Sequence, residues 1–396
     1  MKMTEFNILF LYSGVIDPLR GGIESVTSEL SDYFTKNGCL CYYLSLHHDK
    51  NDDIKQYYLP NTSCFLNDEN KIYLINFIKE NKINIVINQG GFDKDCCLLA
   101  YEVKKHGVKL VSCLHQSLLD RIRNFDVTYY NIFEKKKLQF LLKYTQNNFV
   151  KNLLCSMYRI KYLNHFRKLH EYSDLVVLLS NSFKQDFSFF IGELSDKVCA
   201  MPNPIPSKIY SSESNTQKEK IVLFVGRIDM QQKRPDLLLQ IWSKTYKNHK
   251  DWKLIIVGGG EDLNCLKTYA SSLHLENVVF EGNQNPIPYY QKASIFCLTS
   301  SYEGFGIVLI EAMNMKVVPI AFESFSTVRD IIDNNLNGVL IPPFDIDLYA
   351  EKLSELMSDD SMRDNYSNNA YLKSQQFQLD EIGNKWLSLF SSILNE

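Results

Sequence analysis

The chain has 396 residues, of which 45% are hydrophobic and 22% charged, and 43 basic against 46 acidic residues leave a net charge of -3. These values are typical of a globular protein and exclude collagen-like, fibrous and disordered classes. At roughly 100 to 200 residues per domain, the length predicts two domains. The near-neutral charge argues against a dedicated nucleic-acid-binding protein, which would be strongly basic.

The sequence indicates a cytoplasmic protein. No apolar run approaches the roughly 18 residues of a membrane helix, and the N-terminus leads directly into a strand-like run without a cleavage site. Ten cysteines are scattered along the chain without any CxxC pair. This pattern favours reduced, buried thiols over a disulfide scaffold.

The first 115 residues alternate between strand-like and helix-like patterns. In chain order, the predicted elements are the strand NILFLYS, a helix over 24–36, the strand CLCYYLSL, a helix over 71–79, the strand INIVINQ, a helix over 95–105 and the strand KLVSCLH. Strands rich in Ile, Val and Leu that alternate with amphipathic helices indicate βαβ units and a parallel sheet.

A second α/β series follows after residue 180. It comprises VCAMPN, KIVLFVG, a helix over 235–247, KLIIVGG, VVFEG, SIFCLTS, a helix after Gly306 and VVPIAF. The polar stretch 207–220 lacks an apolar period and is predicted to be a linker. We therefore expect a first domain over 1–206 and a second over 221–375. The segment 376–396 is an amphipathic helix that we expect to pack back on the first domain.

Residues 121–170 form a basic, aromatic-rich segment. It carries 11 Lys and Arg against two acidic residues, a net of +9, which leaves -12 for the rest of the chain. Basic residues interleaved with aromatic ones on helices are attracted to anionic membrane surfaces. The alternative is a helical hairpin with a solvated cationic face.

The strand KIVLFVG ends in Gly226 and Arg227, and Lys233 follows just before Pro235, which marks the first turn of a helix. Ligands bind at the strand ends of open α/β sheets. A guanidinium and an ammonium group suit a diphosphate. Taken alone, two such cations are more often ordinary surface charges.

The segment SYEGFGIVLIEAM strengthens this interpretation. Gly304 and Gly306 allow a tight turn into a helix whose N-terminus would attract phosphate. Glu303 precedes that helix and Glu311 lies eight residues later, at most about 12 Å away along the helix. The pair could reach both sides of a diphosphate, one contacting a sugar and the other a ribose.

The first half offers candidates for the same ligand. Gly21 and Gly22 follow the first strand, where the absence of side chains allows close backbone approach. His115 ends the strand KLVSCLH, a position at which a histidine can make a polar contact in a cleft.

The chain resembles the retaining nucleotide-sugar glycosyltransferases of family 4. The resemblance is strongest in VGRIDMQQKRPDLLLQIW, VGGGEDL, FEGNQNPIPYYQKASIFCLTSSYEGFGIVLIEAM, VVPIAF and DIIDNNLNGVLI, which occur in this order at family-like distances. It implies the α/β GT-B architecture, in which two Rossmann-like domains with parallel sheets face each other across a cleft. Lys316 stands where the family more usually has glycine, and ESFSTVRD replaces its common Gly-containing loop.

The resemblance also implies roles for individual residues. Arg227 and Lys233 would bind the donor diphosphate, Glu303 the sugar hydroxyls and Glu311 the ribose, with His115 beside the sugar. The implied donor-binding set is Gly21, Gly22, Gly226, Arg227, Lys233, Gly258, Glu303, Gly304, Phe305, Gly306, Ile307 and Glu311, and the catalytic candidates are Arg227, Lys233, Glu303 and His115.

These observations predict a retaining glycosyltransferase of surface-polysaccharide synthesis that needs no metal and no cofactor. Its expected donor is a UDP-hexose or UDP-N-acetylhexosamine, and its expected acceptor is a glycan or a polyprenyl-pyrophosphate-linked sugar at the inner membrane face. Two Asp-x-Asp matches also occur in the chain. The one at 93–95 is interpreted as a polar helix start, and the one at 345–347 as the loop before another helix. The alternatives are a GDP-mannose-dependent mannosyltransferase, a sugar-nucleotide epimerase, a non-catalytic nucleotide-sugar binding protein and, less favoured, a hydride-transfer enzyme.

Overall fold

The structure is a computed structural model, and it describes residues 6–18, 20–48, 56–130, 133, 137, 139–210 and 217–395. The chain divides into two compact units. The first domain consists of Met1–Gln116, Arg159–Ser207 and Phe377–Glu396, and the second consists of Ser117–Tyr158 and Lys208–Gln376.

The elements alternate between strands and helices in both domains. The strands are β1 Asn7–Tyr12, β2 Leu40–Ser45, β3 Tyr57–Tyr58, β4 Ile85–Asn88, β5 Lys109–Leu114, β6 Leu175–Leu178, β7 Val198–Ala200, β8 Ile221–Val225, β9 Lys253–Val257, β10 Val278–Gly282, β11 Ile295–Leu298, β12 Val318–Phe322 and β13 Val339–Ile341. The α-helices in the described part of the chain are α1 Gly22–Lys36, α2 Asp68–Glu80, α3 Lys94–Tyr101, α4 Asp120–Arg123, α5 Phe125–Thr128, α6 Leu142–Thr145, α7 Asn148–Tyr172, α8 Ser182–Ile191, α9 Ser207–Tyr210, α10 Pro235–Thr245, α11 Leu263–Ser272, α12 Ile287–Lys292, α13 Ile307–Asn314, α14 Val328–Ile331, α15 Ile346–Ser358, α16 Asp360–Ser374 and α17 Leu379–Asn395.

The first domain is built on a parallel sheet of seven strands in the order β3-β2-β1-β4-β5-β6-β7. All four residues of β4 and of β6 are buried, because helices cover both faces of such a sheet. The predicted strands NILFLYS, CLCYYLSL, INIVINQ and KLVSCLH correspond to β1, β2, β4 and β5.

Polar side chains begin two helices of this domain. Asn67 accepts a hydrogen bond from the backbone of Asn70 at the start of α2, and Asp93 does the same for Cys96 at the start of α3. Side-chain acceptors at this position satisfy an amide group that the helix leaves free. The interpretation of residues 93–95 as a helix start is confirmed.

The C-terminal helix α17 lies against α1 of the first domain. Phe390 packs edge-on against Phe6 and Phe34, with ring centroids 5.9 and 5.3 Å apart. The Tyr33 hydroxyl donates to Asn384 Oδ1 at 2.9 Å. The apolar face of this helix therefore completes the core of a domain whose other strands and helices come from the first 207 residues.

The second domain has a parallel sheet of six strands in the order β10-β9-β8-β11-β12-β13. Its core includes three fully buried aromatic side chains, which are Trp242 of α10, Trp252 directly before β9 and Tyr349 of α15. Asp345 caps α15 by accepting from Leu348 N, so it lies before a helix as expected, whereas Asp347 lies within the first turn of α15 instead of in the loop.

One segment departs from the expected domain division. Residues 121–170 are expected as a single piece of the first domain, whereas the structure assigns Ser117–Tyr158 to the second. The division falls inside α7, whose Phe166 and Leu169 are buried in the first domain. The reason is that Asp120 and Asn124 hydrogen-bond to loops of the second domain. Residues 131, 132, 134–136 and 138 of this segment lie outside the described residues.

The expected linker 207–220 is structured at both of its ends instead of being a linker throughout. Residues 211–216 lie outside the described residues, while α9 forms a short helix before them. After them, Lys218 Nζ donates to the carbonyls of Tyr290, Gln291 and Met315 at 2.7 to 3.1 Å. Such carbonyls at helix ends attract cations, so the last residues of the stretch already belong to the second domain.

None of the helices in the described part of the chain combines the length and apolar composition that crossing a bilayer requires.

Candidate functional site

The loops after β8 and β9 lie in close backbone contact at the strand ends of the second domain. Ile228 N donates to Gly259 O at 2.8 Å, and Gly226 N donates to Val257 O at 3.0 Å. A Cβ on Gly258 would lie 1.9 Å from Gly226 O, and the φ of Gly258 is 145°. Only glycine allows this approach, which brings the two loops together.

Lys233 and Glu303 form an ion pair at this edge. Lys233 Nζ lies 2.6 Å from Glu303 Oε1, and the two side chains are only 16% and 7% exposed. Ser300 Oγ donates to the same carboxylate oxygen at 2.6 Å. The Lys233 side chain passes over Gly226, whose Cβ would lie 3.8 Å from Lys233 Cε. The buried carboxylate is thus paired with a cation, and its Oε1 accepts two hydrogen bonds.

Glu311 lies within reach of the same lysine. It accepts a hydrogen bond from the hydroxyl of Tyr290 at 2.9 Å, and Tyr290 is fully buried. Burial raises the pKa of Glu311, while the hydrogen bond from Tyr290 and the charge of Lys233 oppose this rise. The structure therefore brings Lys233, Glu303 and Glu311 together.

Arg227 is held differently from Lys233. Its guanidinium donates to Asp229 Oδ2 and to Gln232 Oε1, both at 3.0 Å, and its side chain is 63% exposed. Gln232 in turn donates to the carbonyl of Tyr302, directly before Glu303. Arg227 is therefore an accessible cation whose orientation is linked to the loop that carries Glu303.

The loop 303–306 leads into the N-terminus of α13. Gly306 has a φ of 91° and is the last residue before the helix, which begins at Ile307. Phe305 is buried, and its carbonyl accepts from Thr327 Oγ1 at 3.1 Å. The free amide groups of the first turn and the helix dipole favour negative charge at this end. Gly304 lies in the same loop, and its carbonyl accepts a longer bond from Thr327.

Lys316 stands where the resembled family more usually has glycine, and its backbone conformation shows why glycine suits this position. Its φ is 54°, in the left-handed region where glycine is least strained. Its ammonium lies 5.5 Å from the centroid of the Tyr371 ring. A side chain is therefore tolerated at a backbone position that favours glycine.

The first domain places an uncharged pair at its own strand ends. His115 follows β5 and its Nε2 lies 2.5 Å from Oε1 of Gln89, which follows the neighbouring strand β4. Burial lowers the pKa of His115 to about 4. The imidazole is therefore neutral near pH 7, and because Nε2 is bonded to an acceptor, Nδ1 carries no proton. Nδ1 is buried without a described partner.

Gly21 and Gly22 mark the start of α1. Gly21 is the residue before the helix and has an extended backbone, and Gly22 is its first residue. A Cβ on Gly21 would meet only the end of the Glu24 side chain. Their predicted approach to a diphosphate stays a prediction.

Several polar residues at these strand ends were not predicted from the sequence. They are Gln89, Asp229, Gln232, Tyr290 and Ser300. Gln89 directly follows a strand, which is a signal that could have found it. Tyr290 lies inside a helix 21 residues before its partner, and no short motif indicates that pairing.

The second domain also contains a cavity of about 750 Å³ away from this site. Its lining includes Asp126, Val127, Tyr130, Leu142 and Gln146 together with residues of α10 and α11, and none of the candidate donor-site charges lines it. Among the described residues, no three His, Cys, Asp or Glu side chains are grouped as a metal ion would require.

The second-domain sequence matches a known family. Residues 207–373 match the family model described as glycosyl transferases group 1. Residues 207–373 are therefore similar to group 1 glycosyltransferases. This match, together with the relatives described below, confirms the resemblance to GT-B glycosyltransferases of bacterial polysaccharide type.

Two proteins similar to this chain have names that describe specific transferases. A Campylobacter jejuni α-1,4-N-acetyl-D-galactosaminyltransferase acting on a diNAcBac-PP-undecaprenol-linked glycan is 30% identical over 231 residues, which are 58% of this chain and 63% of that protein. A Salmonella typhimurium lipopolysaccharide 1,6-galactosyltransferase is 27% identical over 195 residues, 47% of this chain and 53% of that enzyme. The chain thus spans less than two thirds of the length of these curated relatives.

Solved structures of glycosyltransferases share the whole fold. The apo form of the lipopolysaccharide outer core galactosyltransferase WaaB has a TM-score of 0.68 and 22% identity, covering 98% of this chain and 100% of that one. A Staphylococcus aureus TarM mutant in complex with UDP has a TM-score of 0.75 and 16% identity, covering 97% and 100%. The predicted GT-B fold, with two parallel-sheet α/β domains, is confirmed.

Proposed function

We propose that this protein is a retaining, metal-independent glycosyltransferase of cell-surface polysaccharide synthesis. It moves a hexose or N-acetylhexosamine from a nucleotide diphosphate sugar, with UDP preferred, to a glycan or a lipid-linked acceptor. The observation that carries the proposal is the grouping of Lys233, Glu303 and Glu311 at the strand ends of the second domain, beside the N-terminus of α13.

Each of these groups suits one part of such a donor. The ammonium of Lys233 and the guanidinium of Arg227 bind the diphosphate, together with the amide groups at the start of α13. Glu303 accepts hydrogen bonds from sugar hydroxyls, and Glu311 accepts them from the ribose. Lys233 pairs with Glu303 at 2.6 Å, which orients its ammonium group beside the carboxylate proposed to hold the sugar.

The chemistry follows from where charge develops. As the bond between the anomeric carbon and the leaving phosphate oxygen breaks, negative charge grows on the diphosphate, and Lys233, Arg227 and α13 stabilise it. The acceptor hydroxyl oxygen forms the new bond to the anomeric carbon on the same face. Its proton passes to the departing phosphate oxygen. Neutral His115 accepts one hydrogen bond from a sugar hydroxyl at Nδ1, which carries no proton, without adding charge.

The donor preference draws on the relatives. The Campylobacter protein is named for transfer of N-acetylgalactosamine, and the TarM structure contains UDP. These observations favour a UDP-sugar over GDP-mannose. They also favour a polyprenyl-pyrophosphate-linked or polymeric glycan as the acceptor.

The test is a nucleotide-release assay with UDP-GlcNAc, UDP-GalNAc, UDP-glucose, UDP-galactose and GDP-mannose, each with and without a polyprenyl-diphosphate-linked acceptor. We expect acceptor-dependent release of UDP, insensitivity to EDTA, and an α-linked product from an α-linked donor by NMR. Preferential release of GDP would favour the mannosyltransferase alternative. Conversion of the donor without acceptor would indicate an epimerase, and an inverted product would exclude retention.

An exposed apolar stripe on α7 supports a peripheral location on an anionic membrane. Phe149, Leu153, Met157 and Ile160 lie within about 80° of one another around the helix axis, and Phe149 and Ile160 are each 76% exposed. The same helix exposes Lys161, Arg167 and Lys168. Apolar and basic side chains together bind anionic bilayers, with about 1 kcal/mol per cation near the surface.

Vesicle flotation tests this location. We expect the protein to float with vesicles containing phosphatidylglycerol and to remain unbound with pure phosphatidylcholine. The double variant Phe149→Ser, Ile160→Ser should lose flotation at an unchanged melting temperature. Leu372→Ser, which removes an exposed leucine from α16, is the matched control and should float normally. Equal flotation of the double variant and the wild type would exclude the stripe as the membrane contact.

A further inference from the structure

The segment that joins the second domain from the first half of the sequence is fixed beside the candidate donor site. Asp120 accepts hydrogen bonds from the backbone amide and the hydroxyl of Ser326, each at 2.9 Å. Asn124 Nδ2 donates to the carbonyls of Ser301 and Ser324 at 2.7 and 2.5 Å. Both side chains are buried. Because buried polar groups lose their water, these bonds hold the segment in one position.

Two further hydrogen bonds connect this segment to Glu303. Ser324 Oγ donates to the carbonyl of Ser300 at 2.5 Å, and Ser300 Oγ donates to Glu303 Oε1 at 2.6 Å. Asn124 therefore bridges the loop that contains Glu303 and the loop that contains Ser324.

Arg121 lies between these two fixed residues and points to solvent. Its guanidinium is 5.3 Å from the ring centroid of Tyr129 and 5.8 Å from that of Tyr302, the residue before Glu303. Cations are attracted to aromatic faces, which orients the guanidinium plane. None of the described carboxylates pairs with Arg121, and the side chain is exposed. Arg121 is thus an oriented cation with its hydrogen-bonding edge available.

A second guanidinium acts on the same tyrosine. Burial raises the pKa of Tyr302, and the positive charges of Arg121 and Arg227 both act to lower it. Arg227 is partly neutralised by Asp229 at 3.0 Å, whereas Arg121 is not paired with any described acid. Two guanidinium groups therefore lie near Tyr302, and the next residue is Glu303, whose carboxylate is proposed to hold the sugar.

We propose that Arg121 binds a diphosphate group of a substrate, with Asp120 and Asn124 as the residues that position it. A planar guanidinium forms paired hydrogen bonds with phosphate oxygens, and its hydration is weaker than that of an ammonium. The inference rests on the proposed function, because it assumes a diphosphate at this edge of the second domain. The diphosphate belongs either to the nucleotide donor or to a lipid-linked acceptor.

The experiment measures two affinities by calorimetry. One arm titrates UDP, and the other titrates inorganic pyrophosphate into the UDP-saturated protein. We expect Arg121→Ala to weaken one of the two affinities by about tenfold or more, and Arg121→Lys to give a smaller loss because it keeps the charge but not the planar fork. Lys267→Ala is the matched control, since Lys267 also lies over a ring, 6.0 Å from the centroid of Phe280. It should change neither affinity.

The two arms identify the source of the diphosphate. Weaker UDP binding assigns Arg121 to the donor, and weaker pyrophosphate binding at normal UDP affinity assigns it to the acceptor. If both affinities stay at the wild-type level in Arg121→Ala, the proposal is overturned. A wild-type protein that binds pyrophosphate through Arg121 but binds no UDP, GDP or ADP would contradict the proposed function and leave this inference standing.

The positioning role has its own readout. Asn124→Ala should weaken the same probe as Arg121→Ala, and the double variant should be no weaker than Arg121→Ala alone, because both changes remove one interaction. Additive losses would overturn the positioning role. A lower melting temperature at unchanged affinity would do so as well, since it would indicate a purely structural residue.

Discussion

The strand ends of the two domains offer different chemistry. In the first domain, His115 and Gln89 form an uncharged pair, and burial keeps the imidazole neutral. In the second, Lys233 and Glu303 are paired charges, and Arg227 is an accessible cation. The difference teaches that the second domain presents cations suited to an anion, whereas His115 and Gln89 of the first domain present neutral hydrogen-bonding groups.

The largest expected effect comes from breaking the charged edge. Lys233→Ala removes a cation from the proposed diphosphate site and leaves Glu303 buried without its partner. We expect sugar transfer to fall by at least 100-fold and the free energy of unfolding to drop by roughly 3 kcal/mol. Steady-state turnover and urea denaturation measure the two effects.

The control for this variant is another lysine in an ion pair. Lys244 lies 2.8 Å from Asp347, but both side chains are largely exposed. Lys244→Ala should leave turnover unchanged and cost less than about 1 kcal/mol, because exposed pairs contribute little. Wild-type turnover in Lys233→Ala would remove this lysine from the site.

The next largest effect concerns the His115–Gln89 pair and the dependence of protein stability on pH. His115 has a pKa near 4 in the folded chain and an ordinary value near 6.5 when unfolded, so the unfolded state binds the proton more readily. The stability contributed by neutral His115 is therefore fully present above pH 6.5 and is lost as the pH falls from 6.5 through 4. This loss amounts to about 3 kcal/mol.

His115→Gln should abolish that part of the acid destabilisation. Urea denaturation at pH 7 and pH 4.5 measures it, with His106→Gln at an exposed position as the control. The wild type and the control should lose more stability between the two pH values than His115→Gln does. Identical losses in all three proteins would show that burial of His115 has no such consequence.

Most of the fold could be predicted from the sequence because its elements depend on local patterns. The periods of apolar residues predicted the strands β1, β2, β4 and β5. Asp93 caps a helix as predicted, and Asp345 directly precedes the helix that was predicted to follow it. The strand β3 was not predicted, because two residues carry no period.

The origin of the second domain's inserted segment could not be predicted in the same way. Asp120 and Ser326 are 206 residues apart in the chain, and Asn124 and Ser324 are 200 apart. Composition alone marks 121–170 as one basic stretch, although its beginning is bound by buried hydrogen bonds and its middle presents an exposed apolar stripe. Only the three-dimensional arrangement separates these two parts.

The smallest expected effect concerns the carboxylate beside the charged pair. Tyr290→Phe removes the hydrogen bond to Glu311, a loss of about 1 kcal/mol. Burial raises the pKa of Glu311, and the hydrogen bond from Tyr290 opposes that rise. Loss of the bond should therefore raise the pKa further, and the acid limb of the kcat/KM profile should move to higher pH.

Tyr349→Phe is the matched control for this change. Tyr349 is also fully buried in the second domain, but its hydroxyl donates to the carbonyl of Ile320. It should lower stability by a similar amount without moving the pH profile. An acid limb that stays in place in Tyr290→Phe would show that Glu311 does not limit the reaction.

The order in which the domains can mature follows from how the chain is divided between them. The first domain begins at the N-terminus but needs α17, whose Phe390 packs on Phe6 and Phe34. During synthesis on a ribosome, the domain that starts first is therefore completed last. Residues 117–158 must also wait, since their partners in the second domain emerge later. A stop codon directly before α17 would thus leave the first domain without part of its core although the second domain is complete, and such a product would be a substrate for cellular proteases.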